Sequence, residues 1–391
     1  MAQGNKARVR MTFADGTAFD EWTSIQWRDT WTDPLGDLKL EAAPARARIF
    51  EYRNKLQKGE LVTVHVNDVN QGGFLIQTVQ TRVSPKGGVL FSLQCHTPLV
   101  TPFEGSVDPK LSFKAQTDAP VSDILLKAFG PYGFGSFTGD EAASVSALTG
   151  RRIGNGRPAV KIDALKADQA CAQEGETVAD FTKRIVTRLG TALRMSATGT
   201  LMLSAPDYDQ DPSFTIVQSS DPRVGGDRFI DDIEIEDTNE NQFSECRVRG
   251  NPNDKAGTTQ TSAPDVTVTS NFLFPNRPAY KSTAASYKPL IIKDKNARDR
   301  DRALSVAKLA MGKRAQNAFV ISGEVDGFVS TTGRVWTAGT LGNVRIDAIG
   351  FREPMLMLER HFSQNPSSGQ RCRVRLIPLH ALVLGDVPGG G

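Results

Sequence analysis

"LVTVHVNDVNQGGFLIQTVQTRVSPKGGVLFSLQC", residues 61–95, decides how the chain is read. Apolar and polar residues alternate from Val62 to Val66, and β-branched residues recur among polar ones from Ile76 to Val83. Pro85, Lys86, Gly87 and Gly88 then supply a turn before alternation resumes as far as Cys95. A period of two places successive side chains on opposite faces of a strand, one toward a core and one toward water, which a helix cannot do. The stretch therefore predicts antiparallel strands joined by hairpins. "KARVRMTF" at 6–13 has the same period, so the first hundred residues are expected to build a barrel or sandwich. Between the early strands, "TDPLGDLKLEAAP" (32–44) breaks regularity with Pro and Gly and contributes Leu35, Leu38 and Leu40 as apolar contacts.

Downstream the period changes. "DAPVSDILLKAFGPYGF" sets Val121, Ile124, Leu125 and Phe129 at helical spacing, and "GETVADFTKRIVTRLGTALRMSATGTLMLS" does the same with Val178, Phe181, Ile185 and Leu189 before a short hairpin. Residues 130–160, rich in Gly, Ser and Ala, read as an irregular loop. Strand patterns return at "SFTIVQ", "DRFIDDIEIED" and "FSECRVRGN"; a long surface excursion follows, 251–295, at its most irregular over 251–280. A helix is predicted over 297–316, with Ala303, Val306, Ala307 and Ala310 making a small face fit for close packing on a sheet. The chain then closes in strands. The expected class is α+β, mainly β: two antiparallel β-barrel tube-like domains, 1–108 and 211–391, with an inserted α+β domain at 109–210.

Composition excludes several classes. Lys and Arg number 47 against 44 Asp and Glu, so no charge excess marks a dedicated nucleic-acid or membrane-surface binder. No apolar run is long enough for a secretory signal or a membrane span, and the expectation is synthesis in the cytoplasm with no membrane partner. Cys95, Cys171, Cys246 and Cys372 form no CxxC pair, and His65, His96, His361 and His380 are scattered. Reduced thiols in strands are the simplest reading; intermolecular disulfides in an extracellular particle are the alternative.

Three stretches carry a chemical alternative. In "DDIEIEDTNEN" the carboxylates of Asp232, Glu234 and Glu236 could meet a divalent cation, but they fall on one face of a strand opposite Ile233 and Ile235, the pattern of a half-exposed strand. "EGETVADFTKRIVTRLG" is similar to the start of a peptidoglycan-binding LysM motif, although any capped helix needs the same residues. Arg298, Arg300 and Arg302 with Lys295, Lys308, Lys313 and Arg314 could face phosphates, yet Asp294, Asp299 and Asp301 interleave with them as on a solvated helix start. No nucleophile elbow, zinc helix, phosphate loop or dinucleotide fingerprint occurs. No catalytic residue, cofactor site or metal site is expected.

The order of segments nevertheless resembles the baseplate hub proteins of Mu-type contractile phage tails, related to the late-control D family and to the N-terminal part of type VI secretion spike proteins. The resemblance rests on residues 61–95, on the capped helix and hairpin of 175–206, and on the closing run from Ala297 to Pro378, which includes "GRVWTAGTLGNVRI" (333–346). It implies a non-enzymatic, structural virion protein assembled in the host cytoplasm. Three chains would close a ring of barrels around a channel, adapting a six-fold tail tube to a three-fold central spike. The implied partners are a homotrimer, the spike and tail tube proteins, and the tape-measure and baseplate wedge proteins. No specific nucleic-acid binding is implied, since DNA only passes through the channel. Trp336, with Arg334 and Val335, stands where the family places a Trp before a barrel strand; it anchors that loop to its own barrel or to a neighbouring subunit. A tail-associated peptidoglycan-binding or cell-wall-degrading protein is the competing class, and a DNA-binding portal-region protein a further one.

Overall fold

The computed structural model describes residues 7–85, 88–108, 121–135, 172–189, 192–204, 210–238, 240, 243–250, 265–269, 287–294, 300–379 and 381. The first region contributes seven strands: β1 (Val9–Phe13), β2 (Ala18–Phe19), β3 (Ser24–Thr30), β4 (Asp33–Ala42), β5 (Leu61–Val66), β6 (Val69–Ser84) and β7 (Gly88–His96), with a short helix α1 (Ile49–Lys55). Their alternation is realised as read. Val62, Val64 and Val66 on β5, Phe74 and Ile76 on β6, and Phe91, Leu93 and Cys95 on β7 all point into one core. Asn67 and Asp68, both at positive φ, make the two-residue turn between β5 and β6, the backbone that matches the twist of a tight hairpin.

Three helices, α2 (Val100–Glu104), α3 (Val121–Phe129) and α4 (Val178–Leu189), and a hairpin of β8 (Ala192–Met195) and β9 (Leu201–Ser204) form the middle part. Its separate core joins Ile124, Leu125 and Phe129 with Val178, Phe181, Ile185, Leu193 and Leu201.

The last region holds β10 (Phe214–Gln218), β11 (Asp227–Arg228), β12 (Glu234–Asp237), β13 (Glu245–Arg249), β14 (Asp265–Thr269) and β15 (Pro289–Lys293). After helix α5 (Arg300–Ala315) come β16 (Phe319–Asp326), β17 (Leu341–Ile346), β18 (Phe351–Asn365) and β19 (Gly369–Pro378). The excursion is thus not all loop. β14 and β15 flank β13 in a three-stranded sheet, one antiparallel and one parallel to it. The small face of α5 packs there: Ala303, Ala307 and Met311 meet Cys246, Val248, Val266 and Val268. The irregular stretch expected over 130–160 lies outside the described residues beyond Gly135.

The α+β, mainly β class holds. The two β regions, expected as separate barrels, instead join in one 14-stranded sheet through β3 and β18, with Ile25 opposite Gln364 and Thr30 opposite Glu359. The reason is the length of β18. Its 15 residues span roughly 50 Å, so its first part pairs β17, its last part pairs β3 on the same side, and β19 runs along the other. Among the described residues no barrel is closed by a full ladder. In the last region the nearest approach is the single bridge of Phe229 to Val325, with the Ile230 N–H donating to the Glu324 carbonyl at 2.9 Å. In the first, Gln370 at the start of β19 clasps Ala7 just ahead of β1, accepting from its N–H at 2.7 Å and donating to its carbonyl at 2.6 Å.

Candidate functional site: the junction of the three parts

Where β3 meets β18, the alternation places a charged residue at an inward position. Arg360 stands two residues before Phe362 and shares its face. It is buried, and its guanidinium lies 4.8 Å from the centroids of both Trp27 and Phe362. Its Nη1 donates to the Gln71 carboxamide at 3.2 Å and to the Trp336 carbonyl. Its Nε is 3.3 Å from Asp29 Oδ2, close enough for an ion pair but off the direction of a hydrogen bond. Burial lowers the Arg360 pKa, while the Asp29 carboxylate works against that shift.

Asp29 also faces the middle part. Arg194 on β8 approaches it at 3.8 Å and lies over the Trp31 ring at 4.4 Å. The Asn70 side chain, at the start of β6, donates to the Ala197 carbonyl at 3.3 Å. Gly339 completes the junction: it has φ of 89°, its N–H donates to the Met357 carbonyl at 2.7 Å, and a Cβ there would run into the Trp31 ring. One cluster thus ties together all three parts. What it does chemically is hold geometry, since its charges face one another across parts of the same chain, although Arg360 Nε and Arg194 Nη1 are buried without a hydrogen-bond partner.

Trp336 belongs to this neighbourhood. Its indole is 2% exposed and meets Phe214 edge-on at 5.5 Å, in the shared core of the large sheet. Within the single chain the indole is therefore already enclosed. Arg334 is exposed at the tip of the preceding loop and Val335 is half-buried. That loop is pinned from below by Asp227, a buried carboxylate that accepts from the Thr331 N–H at 2.7 Å and from its hydroxyl at 3.3 Å. Burial raises the Asp227 pKa against those hydrogen bonds.

The other sequence candidates do not converge. β12 is an exposed strand at a sheet edge, paired only with β16. Among the described residues no group of three or more His, Cys, Asp and Glu could hold a metal ion. In the LysM-like stretch, Thr177 Oγ1 accepts from the Asp180 N–H at 3.0 Å as a helix cap. Glu176 accepts from Arg184 Nε at 2.9 Å and Nη2 at 2.8 Å. Burial would push Glu176 up, but Arg184 and the Gln173 N–H more than offset it, and its pKa is lowered. Both side chains of the Glu-Thr pair are therefore engaged within the fold.

Of the basic residues around α5, Lys295 and Arg298 lie outside the described residues, Lys308 is buried, and Arg314 lies over the Phe243 ring at 5.1 Å. Cys95, Cys246 and Cys372 are buried free thiols, raised in pKa by burial; Cys171 lies outside the described residues. Sequence reading missed the junction itself. The available signal was Arg360, a charge at the core parity of a strand; its partners, 331 positions away at Asp29 and on another part at Arg194, left no trace in the local pattern.

This fold is that of phage tail proteins, as the resemblance implied. The tail protein of Neisseria meningitidis MC58 superposes with a TM-score of 0.68 at 17% identity, over 95% of this chain and 96% of that one. The 43 kDa tail protein of prophage MuSo2 from Shewanella oneidensis gives 0.67 at 15% identity, over 96% and 99%. The prophage tail protein gp18 of Listeria monocytogenes EGD-e gives 0.56 at 8% identity, over 95% and 94%. No protein-family model matches the sequence, and no curated protein does.

Proposed function

We propose that the chain is a structural component of a contractile phage tail: the baseplate hub, three copies of which form a ring between the six-fold tail tube and the three-fold central spike. The observation that carries this reading is the shared fold over nearly the full length of two tail proteins, one of them from a prophage. The junction supports it, because a ring under load needs its parts held rigidly, and Arg360, Asp29 and Arg194 spend their charges on that. In this reading 1–108 and 211–391 are the paired tube-like units and 109–210 stands outside the ring. Arg334 and Val335, supported by Trp336 beneath them, contribute to the seam between copies. The tape-measure and baseplate wedge proteins are further neighbours, the role is non-enzymatic, and the place of action is the virion tail baseplate after assembly in the host cytoplasm.

Electron cryomicroscopy of assembled tails tests this directly. Three copies at the lower end of the tube are expected; six copies, a dimer or a position outside the tail would overturn it. Zymography of the purified chain on peptidoglycan tests the cell-wall alternative, and clearing would replace the structural reading.

A further inference from the structure

Two of the open strand edges are opposite in character. β6 outruns β5: beyond the backbone bonds of Ile76 with Gly59 and Glu60, it pairs only with β7. The arm "QTVQTRVS" (77–84) contains no Pro, no acidic residue and one charge, Arg82, which has no ion pair among the described residues; Val83 is 71% exposed. A long, nearly neutral, β-branched edge is the kind that recruits another strand. The second edge is β12, paired with β16 alone and exposed at all four residues. It lies in a run with five carboxylates, Asp231, Asp232, Glu234, Glu236 and Asp237, and with Ile230 and Ile235 exposed. Arg371 and Arg373 reach Asp231 and Glu234, whereas Asp232 and Glu236 have no ion pair among the described residues.

We infer that the β6 arm of one copy adds as a strand to, or lies along, the acidic β12 edge of the next copy, with Arg82 facing Glu236 and Asp232. The occupant is a second copy of this chain because the chain carries both halves. Within one molecule the two edges are separated by the intervening strands β16, β19, β18, β3, β4 and β7, so they do not pair with each other. Of the edges of the small sheet, β15 ends in Lys293 and would repel Arg82, and β14 offers one carboxylate, Asp265, already 3.7 Å from Arg249, so β12 is the edge whose charge best answers Arg82. Pairing a first-region edge with a last-region edge is head-to-tail, and such contacts close into a ring when the rotation permits. Backbone hydrogen bonds give strength, and the charge match fixes direction and partner. This seam rests on the self-assembling ring proposed above and specifies its strands.

The test is the association of the full-length chain by analytical ultracentrifugation across a concentration series, with Arg82→Glu, Glu236→Arg and the double variant. Both positions are exposed, and circular dichroism checks that each variant folds. Each single change is expected to weaken self-association by about tenfold, the equivalent of about 1.4 kcal/mol, and the double change to restore it. A chain that associates equally in all four forms would overturn the seam while leaving the ring intact. Single losses without rescue in the double variant would overturn the charge match and with it this inference. A wild-type chain that stays monomeric at every concentration, even under chemical cross-linking, would count against the seam and the self-assembling ring alike.

Discussion

The first and last β regions share one sheet and one core, yet they are covered differently. In the first region each strand buries one face: β1, β5 and β7 alternate between buried and open positions. In the last region β18 is buried at four successive residues, Met355 to Leu358, and β16 at its first three. The cause is the second layer. α5 and the β13–β14–β15 sheet lie against the outer face, where Leu356, Leu358, Val320 and Ile377 join their core. A strand with one wet face announces itself by alternation; a strand covered on both faces loses the polar half of the signal. The difference also bears on stability. The last region and the junction hold the buried charges, so damage there should spread through the whole sheet, whereas the first region should tolerate changes on its wet face.

That comparison can be broken most severely at Arg360. Replacing it by Leu removes one partner of a buried ion pair and is expected to destabilise by about 3–5 kcal/mol, read as a fall in thermal midpoint. Because β3 and β18 are one ladder, the two regions should still melt together; two separated transitions would show that they are independent units. Gly339→Ala comes next. A Cβ against Trp31, at a positive φ, should cost about 2–3 kcal/mol, while Gly16→Ala, with open space around its Cβ, should cost less at a similar φ. Equal losses at the two would mean that crowding at the junction is unimportant.

A smaller effect is expected in the middle part. Glu176→Gln weakens its clasp on Arg184 and should cost about 1–2 kcal/mol, seen as faster limited proteolysis around α4. With its folded pKa below the unfolded value, the contribution of Glu176 is present above the ordinary glutamate range and is lost as pH falls through the folded pKa. Asp227 has the opposite sign. Its folded pKa lies above the unfolded one, so its contribution is present in acid and lost as pH rises through the folded value. Asp227→Asn should therefore flatten the dependence of the thermal midpoint on pH on the acidic side, with a change at neutral pH within about 1 kcal/mol. A steeper profile in that variant would reverse the reading of the buried carboxylate.

What could be read before folding follows the same division. Residues 61–95 showed their strands because water sits on one side of them, and the α5 face showed itself because Ala303 and Ala307 lie one turn apart. The Gly-Glu-Thr turn at 175–177 marked a helix start. In contrast, β14 was hidden inside the polar stretch 251–280, since a short strand at the margin of a small sheet has little apolar material to display.

Local periodicity therefore determined most of the strands and helices and the α+β, mainly β class. Those properties depend on residues a few positions apart, and a chain carries them wherever it folds. The tertiary structure alone decided that β18 would serve both regions, that Trp336 would be enclosed by its own chain against Phe214, and that Asp29, Arg194 and Arg360 would meet. Each of these depends on contacts across scores to hundreds of residues, where burial strengthens an ion pair and shape selects a partner. Neither force leaves a period in the sequence.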